Sequence, residues 1–438
     1  MQTPELEGAE IVLHDINPRH LKDLHACCQA ILGQLGRAEV FKVSADLNLN
    51  TALRGAAAVI LTITTGGYAA MANDLRIPYR FGIYQPVADT VGPGGISRAL
   101  RNIPVVVGIA QAMARECPGA WLVNLTNPMT TLVRAVWRET DVRCVGLCHE
   151  LYETLHVVEA LLGAKDWRSE FDFDVVGVNH MPWITRMTYK GRDAFPEIRR
   201  RVAKGAWDGG TGDRKDPAGI PISGSHRVKR LLFEAFGALP GASDRHVVEF
   251  FPFFCTEEMR RGAAVGVDLT TIEERRRVFT PGWKRNVKAF TSGKTKISPQ
   301  VSHEAASKII AALLGAGKWR DVLNIPNVGQ APQLPRGAVV ETMGEVTRDR
   351  IRGTRVGAIP PGVLTQIERH IAVQEMTVEA ALAGDRDQVL QAMLGDPLCG
   401  SVRRYQDLVK MRDALLAANR AWLPRFFPEG SAKEKGLK

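Results

Sequence analysis

Two short segments carry side chains able to do chemistry, Cys148-His149-Glu150 and Asn179-His180. Each follows an apolar run that reads as a buried strand, residues 144–147 before the first and 173–178 before the second. A thiol and an imidazole brought to one sheet edge can hold a divalent metal. In open α/β sheets, ligands gather beyond the carboxyl ends of the strands. That edge is where function is expected, with Cys148 and His180 as the metal pair. Taken alone, Cys148 would read as a core thiol.

The elements that must position these residues follow from the apolar pattern. Residues 11–16 form a strand ending in an acid, Asp15, and Asn17-Pro18 then starts a helix, Asn17 as cap and Pro18 at the first helical position. Short strands follow at 40–43, 57–63 (leading into the turn Thr64-Thr65-Gly66-Gly67), 121–124 and 142–147, with helices at 101–116 and 129–140. Strands alternating with helices predict a Rossmann-like, doubly wound parallel sheet. Beyond about 175 the pattern changes. Residues 183–189 alternate as a strand would, 204–224 read as a mobile loop, and helices are expected at 225–236, 256–262, 269–290, 301–316, 363–395 and 402–424. The chain is thus an α/β protein with a dinucleotide-type domain over 1–175 and a mixed, largely helical α+β domain over 176–438, which would carry substrate, metal and oligomer contacts.

Composition sets the outer limits. The chain has 438 residues, 45% hydrophobic and 24% charged, an ordinary globular balance. No apolar stretch is long enough for a membrane span, the first residues do not read as a signal peptide, and seven cysteines without framework spacing fit a reducing cytoplasm. The net charge of +10 is spread among acids rather than clustered, so a nucleic-acid partner is not expected. A basic surface instead suits a small anionic substrate.

A dinucleotide fold normally opens with a strand, a Gly-rich turn and a helix, and its second strand ends in an acid that binds ribose. Asp15 fits that acid, yet only fourteen residues precede it and no G-x-G-x-x-G lies among them. Three readings follow: a chain that starts late or is a truncated copy, a pyrophosphate held by other means, or a protein that binds no cofactor. In the last, Asp15 is merely a strand-end acid.

The segments Asp89-Thr90-Val91-Gly92-Pro93-Gly94-Gly95, Asn124-Leu125-Thr126-Asn127-Pro128, Cys148-His149-Glu150, Gly177-Val178-Asn179-His180, Asn324-Ile325-Pro326-Asn327-Val328-Gly329 and Asp396-Pro397-Leu398 resemble glycoside hydrolase family 4, in the family's order, over residues 9–424. The resemblance implies an NAD-dependent glycosidase that stands outside two-carboxylate hydrolysis. NAD⁺ takes hydride from C3 of the sugar, a base removes the acidified C2 proton with a divalent metal (Mn²⁺) beside it, the aglycone leaves by elimination, and water and hydride return.

Carried over residue by residue, the resemblance makes Cys148 and His180 the metal ligands and Asn127 the amide at the sugar hydroxyls, or a cap before Pro128. Asn179 is a second sugar contact or a buried turn amide. His149 stands where phospho-sugar members carry an acid for the leaving oxygen. Asp244 is expected as the C2 base with His246 beside it, or else as a loop cap. Asp15 would bind ribose, and Thr64, Thr65 and Gly66 would line NAD. Arg80 and Arg98 flank the Asp89 segment, where one of them would clamp an anion. His149 after the cysteine disfavours a phosphorylated sugar, and Cys-His-Glu resembles the α-glucuronidase type. The expected substrate is therefore an α-hexuronide (α-glucuronide or α-galacturonide). An α-galactosidase or α-glucosidase, an NAD-dependent dehydrogenase, and a cofactor-free inactive homologue are the alternatives. The resemblance also implies a homodimer or homotetramer.

Overall fold

A computed structural model describes residues 3–207, 226–296 and 305–428, with side chains left out at 274 and 278–281. Most of the expected 204–224 loop lies outside the described residues. Twelve strands are seen among the described residues: β1 Glu10–His14, β2 Lys42–Asp46, β3 Ala58–Leu61, β4 Trp121–Asn124, β5 Cys144–Gly146, β6 Phe171–Val178, β7 Met181–Tyr189, β8 Arg192–Asp193, β9 Leu239–Pro240, β10 Trp319–Pro326, β11 Val339–Thr347 and β12 Arg350–Gly353. β1 and β2 pair in parallel as a sheet of their own. The main sheet has ten strands in the order β3-β4-β5-β10-β11-β6-β7-β8, with β12 on β11 and β9 on β7.

The parallel part, β3-β4-β5, is wrapped by helices as the alternation predicts. Past β5 the sheet turns antiparallel, because β10 and β11 insert between β5 and β6. One sheet therefore runs through both halves, and the expected boundary at 175 falls within β6. β1 pairs with β2 alone and β3 with β4 alone among the described residues, so each keeps a free edge.

The main core joins the helix Gly92–Glu116 to β4, to the helix Met129–Glu139 and to the C-terminal helices Pro361–Ala383, Arg386–Gly395 and Tyr405–Ala418. Two glycines let backbones meet near the site. A Cβ on Gly95 would lie 2.3 Å from the Thr90 carbonyl carbon, and one on Gly177 would lie 2.3 Å from the Met181 oxygen. The first contact brings the Asp89-Thr90 segment onto the start of Gly92–Glu116. The second closes the β6–β7 hairpin whose turn is Asn179-His180.

Candidate active site

His180 sits in that turn with a positive φ of 67°, a left-handed conformation that costs an imidazole-bearing residue about 1 kcal/mol. The hairpin delivers it buried to the edge where β4 and β5 also end. Its Nδ1 lies 2.7 Å from Thr90 Oγ1, which itself donates to Asp89 Oδ1 at 2.8 Å. With the hydroxyl proton so directed, His180 Nδ1–H is the donor and Nε2 keeps the lone pair. The His246 ring lies tilted against that of His180, 3.7 Å between centroids.

Among the described residues, one trio of metal-capable donors has its atoms all within 4.8 Å of one another: Asp89, His180 and His246. Burial opposes charge on Asp89, but the hydrogen bond and charge of His180, with His246 and Arg98, hold it well below the usual carboxylate range. Burial and the charge of His246 push His180 down. Against its own burial, His246 is raised to about 9 by Glu150, whose Oε1 lies 3.4 Å from Nε2. Glu150 in turn is held well below its usual range, burial notwithstanding, chiefly by the charge of His246. The buried Nδ1 of His246 has no hydrogen-bond partner.

One of the two expected amides touches this trio, and the other precedes His180 in the turn. Asn127 Nδ2 donates to Asp89 Oδ2 at 3.1 Å, while its buried Oδ1 is unpartnered. Asn127 does not cap the following helix: Pro128 holds that place, and no side chain caps it. Asn179 Nδ2 donates to the buried Glu341 at 2.9 Å, and its Oδ1 is also unpartnered. Glu341 further accepts from Asn324 at 3.2 Å, and burial raises it to about 7.

Two of the expected site residues have other contacts in the structure. Cys148 is not in the trio. Its buried thiol interacts with Asn179 and the Glu150 backbone, and burial together with Glu341 and Glu150 pushes it well above its ordinary pKa. Asp244, the expected base, accepts from the backbone amides of Val228 (2.9 Å) and Lys229 (3.0 Å), so its carboxylate also caps the helix Arg227–Phe236. His149 is half exposed, with Nε2 3.7 Å from Glu150 Oε1. The positions of Asp89, Glu150 and Glu341 around these side chains were not anticipated. Asp89 heads the glycine segment quoted above, and Glu150 follows His149, so the signal lay in motifs already noted.

The residues expected at the dinucleotide follow β1 and β3. Asp15 follows β1 and accepts from Asn17 N at 2.7 Å. Thr64 is exposed, and Thr65 N donates to Asn102 Oδ1 at 3.2 Å. Asn102 also donates to the Asn127 backbone oxygen at 3.0 Å, tying this turn to the trio. Gly66 has φ 82°, where a Cβ would meet that of Ala70 at 2.5 Å.

Residues 1–164 match the description "Family 4 glycosyl hydrolase", and 175–399 match "Family 4 glycosyl hydrolase C-terminal domain". The chain belongs to glycosyl hydrolase family 4. An α-galacturonidase of Thermoanaerobacter italicus is 34% identical over 382 residues, covering 86% of this chain and 84% of that protein. A solved Bacillus subtilis structure described as a glucosidase is 32% identical with a TM-score of 0.84, covering 93% of each chain. The family fold extends to a 6-phospho-β-glucosidase of Thermotoga maritima, solved with manganese, NAD⁺ and glucose-6-phosphate, at 20% identity, TM-score 0.75 and coverage of 94% and 92%. This family 4 chain is therefore a glycoside hydrolase, and its Rossmann-like sheet with a helical C-terminal part is the family architecture.

Proposed function

We propose that this family 4 enzyme hydrolyses α-hexuronides, α-galacturonides foremost, by oxidation, elimination and rehydration. The convergence of Asp89, His180 and His246, ringed by the unpartnered acceptors of Asn127 and Asn179, carries the reading. Support for the sugar comes from the α-galacturonidase relative and from the Cys-His-Glu triplet.

A carboxylate and two imidazoles are a donor set that Mn²⁺ accepts. The unpartnered His246 Nδ1 is the kind of buried atom a cation would satisfy. Asp89, His180 and His246 would hold the metal, and the resemblance adds Cys148. Bound metal supplies positive charge that lowers the cost of removing a proton beside an oxidised carbon. Asp15 with Thr64, Thr65 and Gly66 would hold NAD⁺, which supplies the hydride acceptor for C3. Gly66 suits that task because the turn leaves no room for a Cβ there.

The chain's own groups do the rest. Asn127 Oδ1 and Asn179 Oδ1 accept sugar hydroxyls. Glu150, 3.4 Å from His246 at the edge of the trio, is a second candidate beside Asp244 to receive the C2 proton. His149, half exposed and beside Glu150, is placed to give a proton to the leaving oxygen.

An aryl-glycoside panel tests the assignment. The 4-nitrophenyl α-galacturonide should be cleaved only with both NAD⁺ and Mn²⁺, faster than the α-galactoside or α-glucoside. Preference for a neutral glycoside overturns the uronide, and net NADH with no aglycone release makes the protein a dehydrogenase.

A further inference from the structure

The helix Ile272–Thr291 starts directly over the Asp89 segment. Thr270 N donates to Pro86 O at 3.4 Å, and Arg245 reaches both Pro86 O and the Thr270 hydroxyl, fastening the helix start to that segment. Arg275 lies within the first turn, its backbone N bonded to Thr271 O at 3.1 Å. Arg98 approaches from the other side, its Nε 3.2 Å from the Asn127 backbone oxygen. Arg98, Arg245 and Arg275 thus gather around the segment that carries Asp89.

Their partners are incomplete. The Nε atoms of Arg275 and Arg245 are buried without a hydrogen-bond partner. No hydrogen bond or ion pair is made by the Arg275 side chain with any described residue, and burial together with the nearby Arg245 and Arg98 charges lowers its pKa despite the pull of Asp89. Arg275 and Arg98 both act on Asp89, and two buried Nε atoms lack a hydrogen-bond partner, so the cluster can take a further anion. Planar guanidiniums meet carboxylates in a fork geometry that an ammonium cannot copy.

We infer that Arg275 and Arg245, with Arg98 behind them, form the clamp for the substrate's uronate carboxylate and set the preference for hexuronides over neutral hexosides. This rests on the α-hexuronidase reading above. The clamp would also fix the ring so that its C2 and C3 hydroxyls face Asn127 and the trio.

The test compares kcat/KM for 4-nitrophenyl α-galacturonide and α-galactoside in wild type, Arg275→Ala, Arg275→Lys and Arg245→Ala, with NAD⁺ affinity and melting temperature measured alongside. Losing a charge-assisted hydrogen bond should lower the galacturonide-to-galactoside ratio by about 10- to 100-fold in Arg275→Ala. Arg275→Lys should recover part of the ratio, and NAD⁺ affinity should hold. A wild type that prefers the galactoside overturns the substrate reading and the clamp together. A uronide-specific wild type whose ratio survives in both alanine variants overturns the clamp alone. A ratio that holds while NAD⁺ affinity drops assigns Arg275 to the dinucleotide's phosphates and equally overturns the clamp.

Discussion

Glu249 is fully buried, and its Oε1 accepts from the amides of Val87 (2.6 Å) and Ala88 (2.9 Å), which shapes the segment leading to Asp89. Burial outweighs those bonds and raises it to about 7 from 4.5. The folded protein therefore binds a proton there that the unfolded chain releases. The associated stability is present in full below about pH 4.5 and fades as pH rises through about 7. Glu249→Gln keeps an oxygen for both amides, so its stability should match wild type near pH 5 and exceed it near pH 8 by up to about 2–3 kcal/mol, read as a higher melting temperature. A difference that does not vary with pH would contradict this. Asp244 gives a second test at this scale. Asp244→Ala should cost about 1–2 kcal/mol of stability through the lost cap, with Mn²⁺-dependent turnover retained by the folded fraction. Loss of turnover at unchanged melting temperature would assign the base to Asp244. Asp89 and Glu150 were harder to read from sequence than His180, since an acid's role depends on which segments meet around it.

The parallel strands were legible because β3, β4 and β5 are short apolar runs ended by turn signals. Asn17 was legible as a cap, and its side chain does accept from Arg19 N and His20 N. The strands β10 and β11 were not anticipated. Asp321, Asn324 and Glu341 interrupt their apolar pattern, and these are the buried polar groups that tie the strands to Tyr152 and Asn179. Buried, hydrogen-bonded polar groups broke the periodicity that betrays a strand. The helix expected over 363–395 divides at Gly384, where the Arg425 backbone leaves no room for a Cβ, and Asp385 caps the second piece. The turn after β3 offers the prediction here. Gly66→Ala adds a left-handed alanine and a clash with Ala70, about 1–3 kcal/mol of strain. It should lower NAD⁺ affinity and the melting temperature together, as titration and thermal unfolding would show. Unchanged affinity would remove this turn from the dinucleotide site.

Across the whole molecule, the main sheet carries residues from both halves to one edge: Asn127 after β4, Cys148 and Glu150 after β5, and His180 between β6 and β7. No helix among the described residues is long and apolar enough to cross a membrane. The net charge of +10 predicts that kcat/KM for a uronide falls with added salt more steeply than for a neutral galactoside. Equal salt slopes would leave the basic surface without a part in substrate capture. The most direct test of the proposed route is turnover of 4-nitrophenyl α-galacturonide in D₂O with NAD⁺ and Mn²⁺, followed by NMR of the released sugar. Proton loss from C2 and its return predict deuterium at that carbon in the product. Complete hydrolysis with only protium at C2 would contradict it.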